Sequence, residues 1–291
     1  MKKHAYLIMA HDNFDMLNVL LRELDHQKND IFIHIDKKII NLDVQAISKG
    51  VNQSTITFIN QMNVTWGAYS QIQCEINLLK ESLVGEYSYY HLLSGLDLPI
   101  KSQSYIHDFF DRNDGVEFLQ FQQENIKSRN LERVKYHYPF QEVVGKKKNF
   151  LWFLGKMYKY LQKMIGVDRT RKYGLEFQMG ANWFSITNEL AKYLVKREQD
   201  IQRIFKNTLN GDELFIQTLV YNSSFKDNIS QPNYNNSCHS NLRYVVWEND
   251  TPKYFKEADF DRLQSSDELF ARKFSMKESG QLIEKILLNN H

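Results

Sequence analysis

The sequence is poor in cysteine and contains no long apolar run. Its 291 residues include two cysteines, Cys74 and Cys238, in unrelated contexts and without a Cys-x-x-Cys spacing. This excludes a disulfide framework and a cysteine zinc site, so a reducing cytoplasm is the simplest compartment. No run approaches the roughly 18 apolar residues that a membrane-spanning helix needs. The first apolar segment ends at His11-Asp12, which makes it too short for a secretory signal.

The chain also has no marked excess of positive or negative charge, and it lacks the usual phosphate-binding and metal-binding motifs. A formal net charge of +2 does not favour nucleic acid as a partner. Neither Gly-x-Gly-x-x-Gly nor Gly-x4-Gly-Lys-[Ser/Thr] occurs, so NAD enzymes and P-loop NTPases are poor candidates. The nine histidines form no ligand-like spacing, and no metal site is predicted. Asp259-Phe-Asp261 lies in a charged stretch that predicts solvated helix surface instead of a cation site.

Strand and helix patterns alternate along the first hundred residues. Apolar runs at residues 4–10, 31–35, 55–59 and 89–93 predict buried strands. Apolar stripes predict one helix that Asn13 caps and a second helix over residues 69–83. The alternation predicts an α/β fold with a doubly wound, mainly parallel sheet flanked by helices. Ligands of such sheets bind at the carboxyl ends of the strands.

The remaining two thirds of the chain have less regular patterns. We predict a strand at 116–121, a helix at 125–135, a strand and turn at 177–187, a helix at 188–196 and a strand at 242–247. The tail from residue 251 onward is predicted to be charged and helical, with Arg272 and Lys273 inside it. No repeat or low-complexity linker appears, which favours one compact domain over residues 1–291.

Residues 87–102 join a predicted buried strand to a tight polar turn. Ser94, Asp97 and Lys101 would stand at the carboxyl end of that strand, where α/β sheets bind ligands. Ser102 is expected to cap the helix that follows. Taken alone, the stretch is better explained as a structural joint than as a binding site.

Residues 146–173 are basic and aromatic. Nine lysines and arginines accompany a single acid, Asp168, with apolar side chains interleaved at helical spacing. Two interpretations stay open at this point. The segment either rests on an anionic membrane surface or packs on the sheet with its lysines in water.

Several short segments, taken in order, resemble one protein family. They are Ala5-Tyr-Leu-Ile-Met-Ala-His11, Ile33-His-Ile-Asp-Lys37, Val64-Thr-Trp-Gly-Ala-Tyr-Ser70, Tyr90-His-Leu-Leu-Ser-Gly-Leu-Asp-Leu-Pro-Ile-Lys101, Gly180-Ala-Asn-Trp-Phe184, Gly211-Asp-Glu213 and Leu242-Arg-Tyr244. The ordered set is similar to the core 2/I-branching β-1,6-N-acetylglucosaminyltransferase and peptide O-xylosyltransferase family. It extends over residues 4–275.

The resemblance implies a GT-A type glycosyltransferase, with a nucleotide-sugar-binding half at residues 1–121 and an acceptor-binding, catalytic half at 122–291. It implies inverting transfer from a UDP-sugar, with N-acetylglucosamine preferred over xylose, and no divalent metal or other cofactor. The chain is similar to short bacterial members, which implies cytoplasmic synthesis of a surface polysaccharide or glycolipid. Residues 146–173 would then hold the enzyme beside a lipid-linked acceptor. The alternatives are a non-catalytic carbohydrate- or nucleotide-sugar-binding module and a membrane adaptor.

The resemblance also implies roles for individual residues. Glu213 matches the catalytic base, which takes the acceptor hydroxyl proton during attack, and Asp212 is expected to cap the following helix. Arg243 and Lys273 match cations that neutralise the departing UDP, with Arg272 as the alternative to Lys273. The other donor-side residues are Asp36, Ser94, Asp97 and His11, and the acceptor-side residues are Trp183, Lys135 and Trp66.

Overall fold

The computed structural model describes residues 2–249 and 251–290. Its strands are β1 (His4–Ala10), β2 (Asn29–Ile35), β3 (Thr55–Phe58), β4 (Tyr89–Ser94), β5 (Asp97–Pro99), β6 (Ser185–Thr187), β7 (Arg243–Val245), β8 (Trp247–Glu248), β9 (Thr251–Pro252) and β10 (Phe270–Arg272). Its helices are α1 (Phe14–Glu23), α2 (Val44–Ile47), α3 (Tyr69–Ser82), α4 (Gln103–Arg112), α5 (Ser128–Lys135), α6 (Gln141–Val144), α7 (Phe150–Met164), α8 (Asn188–Lys196), α9 (Glu198–Phe205), α10 (Phe215–Tyr221), α11 (Phe260–Gln264) and α12 (Met276–Asn290).

The central sheet has the strand order β3-β2-β1-β4-β6. Its first four strands are parallel, and β6 is antiparallel to β4. Ala10 of β1 pairs with Ile35, and Met9 pairs with Ser94, so three strands end at the same edge. The prediction of an α/β fold with a mainly parallel central sheet is confirmed.

Helices cover both faces of the central sheet, which is why its strands are mostly apolar. On one face, Leu17 of α1 and Phe110 of α4 pack against β1, β2 and β4. The other face is covered by α3, α8, α9 and α10, through side chains such as Ile76 and Leu190. A fully buried leucine contributes roughly 1.5–3 kcal/mol to folding, so these two layers fix the sheet that carries the candidate site.

A smaller sheet, with the order β5-β10-β7, brings the tail of the chain beside the strand-end turn. Arg272 on β10 pairs with Asp97 on β5 and with Val245 on β7. The prediction of a helical tail is therefore wrong at residues 270–272. Phe270 and Ala271 are completely buried between two neighbouring strands, a setting that favours strand. The end of the tail is helical as predicted, in α12.

Several predicted elements are shorter than expected. The predicted strand at 116–121 contains only the isolated bridges of Glu117 with Ile229 and Phe118 with Ser185. The strand predicted at 177–187 is limited to β6, and the one at 242–247 divides into β7 and β8. The helix predicted at 125–135 begins at residue 128, whereas the helix at 188–196 is confirmed.

Two capping predictions and one surface prediction have different outcomes. Ser102 caps α4 as expected, because its side chain accepts from the Tyr105 N–H. Asn13 precedes α1 in a left-handed conformation with φ 49°, and within the described chain its side chain makes no capping bond. Side-chain caps need an extended backbone at that position. Asp259 is buried and accepts from the Lys256 N–H instead of lying on solvated helix surface.

Candidate active site

Polar residues follow β1, β2 and β4 at the common edge of the central sheet. Asp36, directly after β2, is mostly buried, accepts from the Lys38 N–H at 2.9 Å and pairs with the Lys38 ammonium at 3.1 Å. His11, directly after β1, is 72% exposed and lies 3.8 Å from the Asp12 carboxylate. The structure therefore fixes Asp36 in the edge and leaves His11 in solvent.

The strand-end turn after β4 is organised by the buried carboxylate of Asp97. This carboxylate accepts from the Ser94 N–H at 2.9 Å and from the Ser94 hydroxyl at 2.8 Å. Its Oδ1 atom also lies 3.6 Å from Nε of Arg272, which belongs to the neighbouring strand β10. The Arg272 guanidinium in turn lies 4.1 Å from the centre of the Trp183 ring. Four residues predicted separately thus form one cluster.

Two donor atoms of Arg272 make no hydrogen bond within the described residues, although Nε lies in ion-pair distance of Asp97. Among the described residues, its buried Nε and Nη1 atoms have no hydrogen-bond partner. A buried donor without a partner costs about 1–3 kcal/mol, so such atoms are rare unless they serve a ligand. The next residue, Lys273, is partly exposed and places its ammonium 4.3 Å from the Tyr254 ring centre. Two adjacent cations therefore stand beside the Asp97 turn.

Arg243 has a different environment from the one that its predicted role requires. It is 1% exposed, and burial lowers its pKa to about 9. Its Nη1 atom donates to Ser185 Oγ at 2.7 Å and to the Asn241 carbonyl, and its Nη2 atom donates to the carbonyls of Leu92 at 3.2 Å and of Phe184. Within the described chain only Nε lacks a partner. This geometry does not favour direct contact with UDP, and that role stays a prediction.

Glu213 lies at the end of a 3₁₀ turn, Gly211–Glu213, that leads into α10. Its Oε2 atom accepts from Arg133 on α5, the side chain is 32% exposed, and within the described chain Oε1 has no hydrogen-bond partner. The Glu213 carbonyl accepts from the Gly180 N–H at 2.9 Å. A Cβ atom at position 180 would lie 1.8 Å from the Gln120 carbonyl oxygen, so only glycine permits this approach.

Two further carboxyl groups are buried beside Glu213. Asp212 accepts from Gln71 Nε2 at 3.1 Å. In the described chain it makes no capping bond to α10, because its side chain turns toward α3. Glu75 on α3 is fully buried, and among the described residues neither of its carboxyl oxygens has a hydrogen bond of normal geometry. The prediction that Asp212 caps the helix is wrong.

Burial shifts both of these acids toward the neutral form. It raises the pKa of Asp212 to about 7, and the neighbouring charge of Glu213 contributes to the rise. It also raises the pKa of Glu75 well above its usual value, with Asp212 adding to the effect and the Asn182 amide opposing it. Of the three acids, Glu213 is the one with a partly exposed side chain.

The predicted acceptor-side residues are not all brought together. Trp66 is half exposed, and Gly67 after it accepts through its carbonyl from the Asn210 N–H at 2.8 Å, which joins this turn to the segment before Glu213. Lys135 instead pairs with Asp168 at 3.4 Å.

Arg133, which contacts Glu213, is a residue that the sequence reasoning missed. Residues two apart on a helix face different directions, so Arg133 and Lys135 on α5 could not both point at one site. Charge alone gave no way to choose between them. The sequence reasoning also missed Glu75, because an acidic residue within a predicted helix is ordinarily expected to lie on the solvated surface. The described residues contain no group of three or more potential ligand side chains that could hold a metal ion.

Comparison with known proteins shows the family of this chain. A model of the Core-2/I-Branching enzyme family matches residues 4–268. The chain belongs to this family. It is 23% identical over 300 residues to a mouse (Mus musculus) N-acetyllactosaminide beta-1,6-N-acetylglucosaminyl-transferase, covering 96% of this chain and 70% of the mouse protein. It is also 23% identical over 276 residues to the Xylosyltransferase sqv-6 of Caenorhabditis briggsae, covering 87% of this chain and 32% of the nematode protein.

Membership of the Core-2/I-Branching enzyme family makes the protein a glycosyltransferase, and it implies a nucleotide-sugar donor and a glycan acceptor. The mainly parallel sheet flanked by helices is consistent with a GT-A-like fold. Within residues 2–249 and 251–290, no helix combines the length and the apolar character needed to span a membrane.

Proposed function

We propose that this family member is an inverting glycosyltransferase that moves N-acetylglucosamine from a UDP donor to a hydroxyl of an acceptor glycan, in β-1,6 linkage. The observation that carries the proposal is Glu213, which Arg133 holds through one carboxylate oxygen while the other stays unpaired among the described residues. The name of the mouse relative, which aligns with 96% of the chain, supports N-acetylglucosamine over xylose as the transferred sugar.

In the proposed reaction, Oε1 of Glu213 accepts the proton of the acceptor hydroxyl while the hydroxyl oxygen forms a bond to C1 of the donor sugar. The bond between C1 and the phosphate oxygen breaks, and its electron pair leaves with UDP. Attack from the face opposite UDP inverts the configuration at C1. Arg133 fixes the carboxylate, so the base needs no reorganisation when the acceptor arrives.

We also propose that fixed cations, without a divalent metal, neutralise the departing diphosphate. The support is Arg272, whose Nε and Nη1 atoms are buried without hydrogen-bond partners among the described residues, and Lys273 beside it. Charge-assisted hydrogen bonds from guanidinium to phosphate are among the strongest in proteins. We further propose that the acceptor is part of a surface polysaccharide or glycolipid.

A screen of UDP-sugars with EDTA present tests this proposal. We expect UDP-N-acetylglucosamine to raise the melting temperature most and to be consumed, with the product anomer inverted when followed by NMR. A requirement for added manganese would overturn metal independence. Preference for UDP-xylose would favour the activity named for the nematode relative. Binding of UDP-sugars without turnover under any condition would favour a non-catalytic module.

A further inference from the structure

Helix α7 presents apolar side chains to solvent along one face. Phe150, Phe153, Met157, Tyr160 and Met164 follow one another at spacings of three and four residues, and all five are exposed. Ile165, directly after the helix, extends the same stripe and is 77% exposed. Soluble proteins rarely expose a contiguous apolar stripe of this kind unless it meets a partner.

Basic residues border the stripe. Lys156 and Lys163 lie on α7 beside it, and Lys146, Lys147 and Lys148 precede the helix, all with exposed side chains. None of these five lysines forms an ion pair with the part of the chain that the structure describes. Two of them contact aromatic rings, Lys156 with Trp152 and Lys146 with Trp66. A helix with an apolar stripe bordered by lysines that have no ion-pair partner matches an anionic lipid surface, in which the stripe is buried while the lysines contact the headgroups.

The other side of α7 joins it to the candidate active site. Lys159 pairs with Glu132 on α5 at 2.7 Å, and Gln162 exchanges two hydrogen bonds with the backbone of His137, at 2.8 and 2.9 Å. Arg133, the neighbour of Glu132, contacts Glu213. The exposed stripe is therefore one helix away from the proposed base.

We propose that α7 lies in the surface of an anionic membrane and presents the active site to a membrane-embedded acceptor. The choice of acceptor rests on the proposed function, whereas the membrane contact does not. A second copy of the chain is a poorer occupant, because residues 146–173 carry nine basic residues and one acid. A two-fold interface would place like charges against each other.

Flotation with lipid vesicles tests the contact. We expect the wild-type protein to float with vesicles that contain phosphatidylglycerol, to float less with pure phosphatidylcholine, and to be released by salt. The triple variant Phe153→Ser, Met157→Ser, Met164→Ser should lower vesicle binding roughly tenfold or more. Its control changes three exposed apolar residues elsewhere, Ile40→Ser, Val84→Ser and Leu288→Ser, and should float like wild type.

A double substitution of lysines tests the electrostatic part of the membrane contact. Lys156→Gln with Lys163→Gln should weaken binding to anionic vesicles about tenfold, whereas Lys192→Gln with Lys277→Gln, two exposed lysines elsewhere, should not. Absence of wild-type binding to anionic vesicles would overturn the proposal. A dimer in sedimentation velocity that the α7 triple variant dissociates would assign the stripe to a second copy. The Glu213→Gln variant should float with anionic vesicles as the wild-type protein does, so the flotation assay measures membrane contact independently of catalysis.

Discussion

Two groups of buried and partly buried titratable residues lie on opposite faces of the central sheet, and they differ in how completely they are paired. The histidine cluster, His4, His26, His91 and His107, lies on the face covered by α1 and α4. The acid cluster, Glu75, Asp212 and Glu213, lies at α3 and the turn before α10, on the other face.

The histidine cluster forms a chain of hydrogen bonds that begins at Arg243. A guanidinium can only donate, so Ser185 Oγ accepts from Arg243 at 2.7 Å. The same oxygen is hydrogen-bonded to Nδ1 of His91 at 2.8 Å, and Nε2 of His91 is hydrogen-bonded to Nδ1 of His4 at 3.1 Å. The chain uses its partners internally, as expected of a structural network.

The acid cluster is incompletely paired. Within the described residues, both oxygens of Glu75 and Oδ1 of Asp212 are buried without normal hydrogen bonds, and Oε1 of Glu213 is free. Unsatisfied polar groups lower stability, and they tend to persist where a ligand or a reaction uses them. The comparison therefore associates the candidate site with the less completely paired cluster, although Nε of Arg243 in the histidine network also lacks a partner among the described residues.

The largest effect should come from Glu213→Gln. Because the amide cannot accept the acceptor proton, we expect kcat to fall roughly 10²–10⁴-fold with little change in donor affinity. Steady-state kinetics with calorimetric UDP titration measure the two quantities. The matched control is Glu284→Gln on α12, an exposed glutamate. A kcat within a few-fold of wild type would mean that another residue is the base.

The substitution Arg243→Met should lower the stability of the fold. It removes the donors that the carbonyls of Leu92 and Phe184 use and the start of the histidine chain. We expect the free energy of unfolding to fall by about 3 kcal/mol or more, measured by urea denaturation. If stability is unchanged while UDP affinity is lost, Arg243 is a donor ligand after all, and the distinction drawn between the clusters fails.

The substitution Arg272→Gln should weaken the binding of the UDP donor. Losing one charge-assisted contact to phosphate is worth about 1.5–3 kcal/mol, so the Kd for UDP should rise roughly tenfold or more in calorimetry. Lys277→Gln, a nearby exposed lysine in the sequence, serves as the control. An unaltered Kd would leave the unpaired Arg272 donors without a ligand and would point to Lys273 instead.

The smallest effects should be on the pH dependence of stability, to which the histidine cluster and the acid cluster contribute slopes of opposite sign. Burial lowers the pKa of His107 to about 4, so the unfolded chain binds more protons below its ordinary pKa near 6.5 and stability falls as pH decreases. Burial raises the pKa values of Glu75 and Asp212. The folded chain then binds more protons than the unfolded one, and stability falls as pH rises from about 4 through 7.

Matched amide substitutions separate the two slopes. In urea denaturation across pH, His107→Gln should remove roughly 1–3 kcal/mol of the acid-side loss. Glu75→Gln should stabilise the fold by about 1 kcal/mol at pH values above 7, since its amide also lacks good partners. Equal slopes in wild type and both variants would show that neither cluster controls the pH dependence.

The sequence was sufficient for the central sheet because its strands are apolar on both faces, as in residues 4–10 and 89–93, and such runs have few alternatives. It was insufficient for β10, which is three residues long and is held only by distant strands. The candidate role of Glu213 was predicted from the resemblance of short sequence motifs to those of the family. Its partner Arg133 lies on α5, and Glu75, which interacts with the adjacent Asp212, lies on α3; tertiary packing that no local pattern encodes brings these helices to the turn.

Gly180 has a consequence for attempts to redirect this enzyme to new acceptors. Its N–H supports the Glu213 carbonyl, and its missing side chain admits the Gln120 backbone. A library that varies residues 181–184 to change sugar preference can keep the catalytic turn in place. A library that also varies position 180 would displace Glu213, the proposed base, so we expect most members to be inactive before specificity could be selected.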